Sequence, residues 1–595
     1  MDKSKITKSL AVVATTLIVV IVGVASFAYF GTFDVNLINN VAVNINSSSP
    51  GNATFISNAT QLNLQVPAAN MSYTASNNTV AAKEDTAFLD VTLTGSANLL
   101  TTCTYDIVYE YDSGSNVYGQ GTTTKTSGAT KEITLEVNGM NGNNHFATET
   151  NFDSATISSY KDTANNYYKL VENATIKSLG TEQSVRWKII GRYYNLEASQ
   201  SQLGGQAFTG KIYAVSKGCS SEDGSTVKKG YETILANNGG AASMTTLTST
   251  DFATVTTASD KGMYKAQDDL GTSYYFRGAV DNNWVKYGKY TKNTYYTYDD
   301  NWNYTLVDSC DGLENCYKIA SKGDDMYWRI IRVNGDNSIR MIYTGTSAPD
   351  NNTKVVMMES TNNSGYRGAN SAGMSKFNKK WNSAEYVGYM FTVGQQHGTG
   401  TDSTIKTYLD NWYANYTDLN KTGTQITDQI YCNDRTASTS DVAYSPTNYT
   451  TLTSWNSKGT QYYYGAYGRI VKDNNPMLTC AVDSDRFTVN KINGKGNSAL
   501  TYPIGLITAD EVEMAGNNWS ESNDSYYLYT GDDYWVGSPS RFRDGDVANG
   551  VRVFAIGLLG YGDANNDFGA RGVVSLSSES KLLGSGTYND VYTVS

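Results

Sequence analysis

Histidine, proline and charged residues are scarce in this sequence. Two histidines and seven prolines occur among 595 residues, and charged residues make up 17% of the chain. The histidines, His145 and His397, lie too far apart for a zinc-binding motif. The 46 Lys and Arg against 57 Asp and Glu give a net charge of −11, without any basic run. Because phosphate binding needs clustered Lys and Arg, we expect no nucleic-acid partner.

Polar and aromatic residues are abundant in the sequence. Aromatic residues reach 12%, with 46 Tyr against 16 Phe, and Asn, Thr, Ser and Gly are abundant. This composition is typical of an extracellular, β-rich protein. A chain of this length is expected to form two or three domains.

The N-terminus predicts export. Lys3, Lys5 and Lys8 precede an uncharged, apolar stretch from Leu10 to Phe30. As a helix this stretch would be roughly 30 Å long, enough to cross a bilayer, and the positive charges before it would stay cytoplasmic. We therefore expect residues 1–31 to be a transmembrane anchor; a cleaved signal segment is the alternative. Either way, the rest of the chain is predicted to be extracellular.

The six cysteines predict three disulfides. No Cys-x-x-Cys motif occurs, so a metal site is a poor explanation for these thiols, and an even count suits an oxidising compartment. Cys310 and Cys316 enclose a short loop and are predicted to pair, and Cys432 and Cys480 fall in one region. The pair Cys103 and Cys219 then follows by elimination.

Residues 32–217 are predicted to form an antiparallel β-sandwich stalk. The segments 88–94, 104–110 and 132–137 alternate apolar residues with Thr and charged residues, and Gly- and Asn-rich clusters separate them. Segments 187–195 and 206–213 are predicted as two further strands. Behind a hydrophobic leader, this sequence resembles the TasA-type secreted fibre proteins of Gram-positive bacteria.

Residues 218–264 are predicted to be a polar connector with one short helix over 231–237. A second globular region is expected from residue 265. It includes a strand over 273–280 and a hairpin of strands 328–333 and 338–343, with Asn334-Gly335 supplying the positive φ angles of the turn.

Two helices are predicted in this second region. Over 404–415, Ile405, Tyr408, Leu409 and Trp412 form one apolar stripe, with Asp402 or Ser403 as the N-cap. Over 508–515, Thr508 and Glu511 form a capping box, and Gly516 ends the helix. Residues 415–500 are rich in loop-forming residues. We expect an ordered, loop-rich insertion at about 350–500, closed by the Cys432–Cys480 bridge.

The strongest pattern lies at the C-terminus. Framework residues there are Tyr534, Trp535, Ser538, Pro539, Phe542, Val551, Val553, Gly557 and Gly569–Leu576. They resemble the end of C-type-lectin-like domains of the formylglycine-generating-enzyme kind, which close with Gly-x-Arg and an apolar strand. More narrowly, the region from Gly271 onwards resembles a domain of surface proteins of anaerobic Gram-positive bacteria. This implies an α+β, mostly β chain whose residues 265–595 form a C-type-lectin-like domain.

The resemblance also implies a ligand-binding surface. Some members of that fold class are targets of diversity-generating retroelements, which vary surface positions of the terminal segment and spare its framework. The corresponding candidate ligand-binding residues within 536–568 are Val536, Gly537, Ser540, Arg541, Arg543, Asp544, Asp546, Asn549, Gly550, Arg552, Phe554, Leu558, Tyr561, Asp563, Asn565, Asn566 and Phe568. Such a mixture can supply aromatic anchors and adaptable hydrogen bonds. An ordinary solvated loop region is the alternative.

Catalytic and metal-binding patterns are weak. Formylglycine-generating enzymes use paired cysteines near their C-terminal end, and no Cys follows Cys480, so that activity is not expected here. The segment 563–567 has the Asp-x-Asn-x-Asp start of a calcium loop, but Phe568 and Val574 replace the required Gly and Glu. A solvated turn is favoured over an ion site, and we expect neither a cofactor nor a metal.

These observations favour a membrane-tethered surface protein that binds an extracellular protein or glycan through residues 536–568. Two alternatives remain. One is a structural, fibre- or pilus-like subunit in which the β-sandwich polymerises; the other is a secreted glycan-active enzyme on the same fold.

Overall fold

The structure is a computed structural model that describes residues 40–45, 53–65, 83–95, 98–111, 133–139, 150–151, 161–162, 165, 167–194, 207–347, 349, 371–421, 423–439, 462–543 and 547–595. The chain is mostly β, and it divides into two compact units, Met1–Thr226 and Val227–Ser595. The predicted membrane span lies outside the described residues. Among the helices that are described, none is long and apolar enough to cross a bilayer.

In its described residues, the first unit contains two antiparallel sheets. One has six strands in the spatial order Asn40–Ile45, Ala53–Asn58, Lys83–Thr94, Glu182–Tyr193, Ile133–Gly139 and Thr150–Asn151. The other has five, in the order Thr60–Gln65, Ala207–Asp223, Leu99–Tyr111, Tyr167–Leu179 and Lys161–Asp162. The strands predicted over 88–94 and 104–110 are therefore present within longer strands, and the strand predicted over 132–137 is observed as Ile133–Gly139.

Both sheets contribute to one apolar core. Along Lys83–Thr94 and Glu182–Tyr193, buried positions alternate with more exposed ones, as expected for strands with one solvated face. Trp187 from the first sheet donates its indole N–H to the Tyr105 hydroxyl of the second at 3.1 Å, and both side chains are fully buried. The predicted Cys103–Cys219 bridge links two neighbouring strands of the second sheet and is confirmed.

The second unit is built on a nine-stranded sheet. Seven strands follow one another as Ile426–Thr427, Val573–Leu576, Ile339–Gly345, Asp325–Val333, Trp284–Lys289, Tyr592–Val594 and Leu582–Leu583. Thr272–Gly278 also pairs with Asp325–Val333, and Lys261–Gln267 pairs with Thr272–Gly278. A mainly antiparallel second sheet contains Met374–Lys376, Asp567–Gly569, Tyr534–Arg543, Val547–Val553 and Leu559–Asp563, with Tyr462–Tyr463 beside Tyr534–Arg543.

Smaller elements complete this unit. A three-stranded sheet has the order Tyr304–Val307, Thr294–Tyr298, Cys316–Ala320. Two strand pairs are Met390–Phe391 with Thr401–Asp402 and Tyr431–Cys432 with Arg486–Phe487. The α-helices are Gly230–Asn237, Ser249–Phe252, Thr404–Asn415, Gly465–Gly468 and Ala509–Met514.

The two predicted helices are confirmed with their caps. Ser403, not Asp402, caps Thr404–Asn415 by accepting a hydrogen bond from the Lys406 amide. Thr508 and Glu511 form the expected capping box of Ala509–Met514. The predicted Cys432–Cys480 and Cys310–Cys316 bridges are present as well.

The hairpin of Asp325–Val333 and Ile339–Gly345 is confirmed, but its turn differs from the prediction. The positive φ lies at Asn337, at 69°, and not at Asn334-Gly335. Gly335 is needed for a different reason: a Cβ there would collide with the Gly271 amide and the Asp268 carboxylate.

The segments predicted as a connector and an insertion belong to the core of the second unit. Ile234, on the helix Gly230–Asn237, is fully buried there, and so is Trp412 from within 350–500. Trp412 donates its indole N–H to the Tyr290 hydroxyl at 3.0 Å, and Tyr290 and Tyr343 share a hydrogen bond of 2.8 Å. These segments are integral parts of the unit.

Candidate functional site

The predicted binding segment 536–568 lies on four strands of one sheet, Tyr534–Arg543, Val547–Val553, Leu559–Asp563 and Asp567–Gly569. In the antiparallel register Arg541 pairs with Asn549, and Asn549 pairs with Asp563. Tyr561 pairs with Val551, two residues along from Asn549. Because paired residues project to the same side of a sheet, these side chains share one side.

A chain of contacts fixes the Arg541 side chain on that side. Its guanidinium lies 3.8 Å from the centre of the Tyr561 ring, and its Nε donates to the Asn549 Oδ1 at 3.2 Å. The Asn549 Nδ2 in turn donates to the Asp563 Oδ1 at 2.7 Å. Asn549 is fully buried, whereas Tyr561 is 39% exposed. The buried amide thus orients a cation over an exposed ring.

The exposed ring belongs to a longer aromatic row, which we define as Tyr467, Trp519 and Tyr561. The Tyr561 and Trp519 rings are nearly parallel, with centroids 6.4 Å apart, and Trp519 meets Tyr467 edge-on at 5.1 Å. Tyr467 also stacks on the buried Tyr463 at 4.8 Å. The three members of the row are all at least partly exposed.

Sequence reasoning missed Tyr467 and Trp519. Both lie outside the segment 536–568 that the resemblance singled out. The run Tyr462–Tyr464 does mark an aromatic-rich stretch, but nothing in the sequence indicates that this stretch lies beside Tyr561. The contact depends on the pairing of Tyr462–Tyr463 with Tyr534–Arg543, which joins residues about 80 positions apart.

A second group of candidates lies on the opposite side of the same sheet. The Arg552 guanidinium lies 3.7 Å from the centre of the Phe554 ring and 4.2 Å from that of Phe568. Arg552 also bonds to the Asp533 carboxylate at 3.0 Å, and Phe568 packs on the buried Trp535. These contacts stabilise the domain core, so the candidates do not form one continuous surface.

Other candidates are buried or lie in turns. Buried within the fold are Val536, Gly537, Ser540, Asn549, Gly550 and Phe568. In this conformation they are framework, inaccessible to a partner. Leu558, Asp563, Asn565 and Asn566 are partly exposed. The Arg543 side chain and the residues Asp544 and Asp546 lie outside the described part of the chain.

The segment 563–567, whose sequence resembles the start of a calcium loop, contacts a lysine side chain of the same chain. The Lys376 ammonium bonds to the Asn565 carbonyl at 3.1 Å and to the Asp567 Oδ1 at 3.0 Å. The Asp563 amide donates to the Asn566 Oδ1 at 2.8 Å, which closes the turn. Within the described ranges, no group of three His, Cys, Asp or Glu side chains is arranged to hold a metal ion.

A charged cavity lies elsewhere in this unit, beside the helix Ala509–Met514. Its volume of about 30 Å³ has room for a couple of water molecules. The Glu511 Oε1 lies 3.0 Å from the Arg332 Nε and 2.7 Å from the Arg340 Nε. Burial alone would raise the pKa of Glu511, but Arg340 and Arg332 offset it, and the pKa is held below its ordinary value. These groups neutralise one another, as in a structural ion network.

Comparisons with protein-family models, with curated proteins and with solved structures find no match for this chain.

Proposed function

We propose that this chain is a bacterial cell-surface binding protein or adhesin whose aromatic row, together with Arg541, captures an extracellular protein or glycan. The proposal includes export and anchoring by residues 1–31, or secretion if that segment is cleaved. It also includes a C-type-lectin-like class for the second unit, with a terminal segment whose exposed positions vary.

One observation carries the proposal: a row of accessible aromatic rings lies beside a guanidinium that a hydrogen bond to the buried Asn549 side chain orients. Tyr561 is 39% exposed, yet Arg541 and Trp519 contact its ring, and Asn549 in turn orients Arg541. A ring that is already ordered loses little entropy when a partner covers it. Tyr, Trp and Arg are also the residues that contribute most to binding energy in interfaces.

The location of these residues supports the same interpretation. They come from the short helix Gly465–Gly468, the loop around Trp519, and the strands Tyr534–Arg543 and Leu559–Asp563. Such a surface, assembled from four segments over a sheet, is rigid at its base and open above. Three disulfides suit an oxidising, extracellular environment.

The test begins with the purified full-length chain on arrays of glycans and of extracellular proteins. Once a ligand is found, the double variant Arg541→Ala/Tyr561→Ala is expected to weaken binding at least about a hundredfold, since two interface anchors are lost. The control is Ile556→Ala: Ile556 is 57% exposed in the turn before Leu559–Asp563 and is neither a member of the row nor a partner of Arg541 in the contacts described above.

Unchanged binding by the double variant would overturn the assignment of the site. A large fall of its thermal midpoint would show instead that the two side chains serve packing. If the chain binds nothing on either array but assembles into filaments in light scattering, the fibre alternative is favoured.

A further inference from the structure

Trp302 occupies an unusual backbone conformation at an exposed position. Its φ is +56°, in the left-handed region that bulky residues rarely adopt, and its side chain is 52% exposed. It sits in the turn between the strands Thr294–Tyr298 and Tyr304–Val307. Burial does not explain why a tryptophan, and not a glycine or asparagine, stands here. Backbone outliers of this kind concentrate at functional sites.

The Asp299 carboxylate holds this turn. Its Oδ1 accepts hydrogen bonds from the amides of Asn301 and Asn303, both at 2.9 Å, and its Oδ2 accepts from the Asn303 Nδ2 at 2.8 Å. The Trp302 amide donates to the Asp299 carbonyl at 2.8 Å. Four hydrogen bonds therefore fix the backbone of the turn that carries Trp302.

The indole is the outermost ring of a stack. It lies over Tyr298 with centroids 4.7 Å apart and planes within 10°. Tyr298 is in turn nearly parallel to Tyr317, at 6.1 Å and 17°. Tyr317 follows the Cys310–Cys316 bridge directly, so its position is covalently restrained. Since Tyr298 covers one face of the indole, the exposed half of Trp302 presents the other face to solvent.

The chemistry around the indole limits what can bind there. Asp300 and Asn301 are exposed next to Trp302 and can accept or donate hydrogen bonds at its edge. A nucleobase would also stack on an indole, but the phosphates attached to it would meet a chain of net charge −11. A hexopyranose has a flat apolar C–H face for the ring and hydroxyls for the amide and the carboxylate.

We propose that Trp302, in a stack with Tyr298 and Tyr317, is a carbohydrate-binding platform. It is separate from the aromatic row defined above. The sugar ring lies flat on the free face of the indole, and its hydroxyls bond to Asp300 and Asn301. The strained turn is retained because it presents this face in a fixed direction, which lowers the entropy lost on binding.

The experiment measures the affinity of the full-length chain for a panel of soluble oligosaccharides of glucose, galactose, mannose and N-acetylhexosamines, by tryptophan fluorescence and calorimetry. Trp302→Ala is expected to lower the affinity for the sugar that binds at least tenfold. Trp381→Ala is the matched control, because Trp381 is a second surface tryptophan of this unit and is 38% exposed. This variant should bind the sugar like the unmodified chain.

A third variant separates binding from folding. Trp302→Gly relieves the positive φ, so its thermal midpoint is expected to be unchanged or higher while sugar binding is lost. A strongly lowered midpoint would show that Trp302 is a packing residue and would overturn the proposal.

The remaining outcomes are also decisive. Lack of binding to every sugar of the panel at millimolar concentration would overturn the proposal, and so would a protein ligand that needs Trp302. If a sugar binds but is lost only with Arg541→Ala/Tyr561→Ala, the terminal surface is the single carbohydrate site. If Trp302→Ala abolishes binding and that double variant does not, the platform stands even if the function proposed for the aromatic row fails.

Discussion

At the scale of single residues, the candidate site depends on which side chains are framework and which are accessible. Regular alternation along a strand would allow this to be read from the sequence. In Tyr534–Arg543 the register shifts twice, between Trp535 and Pro539 and between Pro539 and Arg541. Every residue from Val536 to Ser540 is buried, so burial does not alternate along this part of the strand. Arg541, the next residue, is partly exposed.

A buried carboxyl group gives a prediction at this scale. Burial, together with the nearby Asp510, raises the pKa of Glu513 to about 9. Between its ordinary pKa of 4.5 and about 9, the folded chain then holds a proton that the unfolded chain has lost. The free energy of unfolding should therefore fall with rising pH in this window, by up to about 1.4 kcal/mol per pH unit.

Glu513→Gln should remove this contribution and flatten the pH dependence measured by urea unfolding from pH 5 to 9. Glu521→Gln is the control, because Glu521 is exposed in a nearby loop and its loss should leave the slope in place. Identical slopes in Glu513→Gln and the unmodified chain would show that Glu513 is charged in the folded state.

At the scale of elements, local sequence patterns were sufficient to predict individual helices. They were not sufficient to predict which distant segments pair in a sheet. The capping box at Thr508 and the apolar stripe of Thr404–Asn415 could be predicted because each depends on residues within one or two turns of helix. The pairing of Tyr462–Tyr463 with Tyr534–Arg543, which brings Tyr467 towards Tyr561, could not be predicted. No local pattern encodes a contact between segments so far apart in the chain.

The ion network at the helix Ala509–Met514 gives a prediction at this scale. Glu511 connects that helix to the hairpin through Arg332 and Arg340, and all three side chains are buried. Glu511→Gln would leave two buried guanidinium groups short of a counter-charge. We expect the free energy of unfolding to fall by about 3–5 kcal/mol in chemical denaturation.

Glu579→Gln is the matched control, because Glu579 pairs with Lys229 at 2.7 Å on the surface. Its loss should cost less than about 1 kcal/mol, since solvent screens an exposed pair. Equal losses in the two variants would contradict a central role for the buried network. The depressed pKa of Glu511 also implies that its contribution is present above its ordinary pKa of 4.5 and is lost as pH falls through the lower value of the folded state.

At the scale of the whole molecule, the composition and the six cysteines allowed the β-rich class and all three disulfides to be predicted. The extent of the second unit was harder to predict. Residues 227–264 are polar, yet they contribute Ile234 and Met244 to its core. Composition averages over a segment, whereas a core requires only a few apolar side chains at the right positions.

The two units have separate apolar cores, which favours unfolding of each unit by itself. The core around Trp187 and the core around Trp412 share no residues. We expect two transitions in calorimetry. Trp187→Phe should lower the midpoint temperature of one transition only, and Trp412→Phe should lower the midpoint temperature of the other only. A single transition shifted by both variants would mean that the units unfold together.

The central claim is that the terminal segment combines a buried frame with accessible, replaceable side chains, and the free energy of unfolding tests it most directly. For Tyr561→Ala/Asn565→Ala, both partly exposed, the expected loss is below about 1 kcal/mol. For Val536→Ala/Phe568→Ala, both buried, it is at least about 4 kcal/mol, because core contacts and volume are lost. Similar losses in the two double variants would contradict the claim.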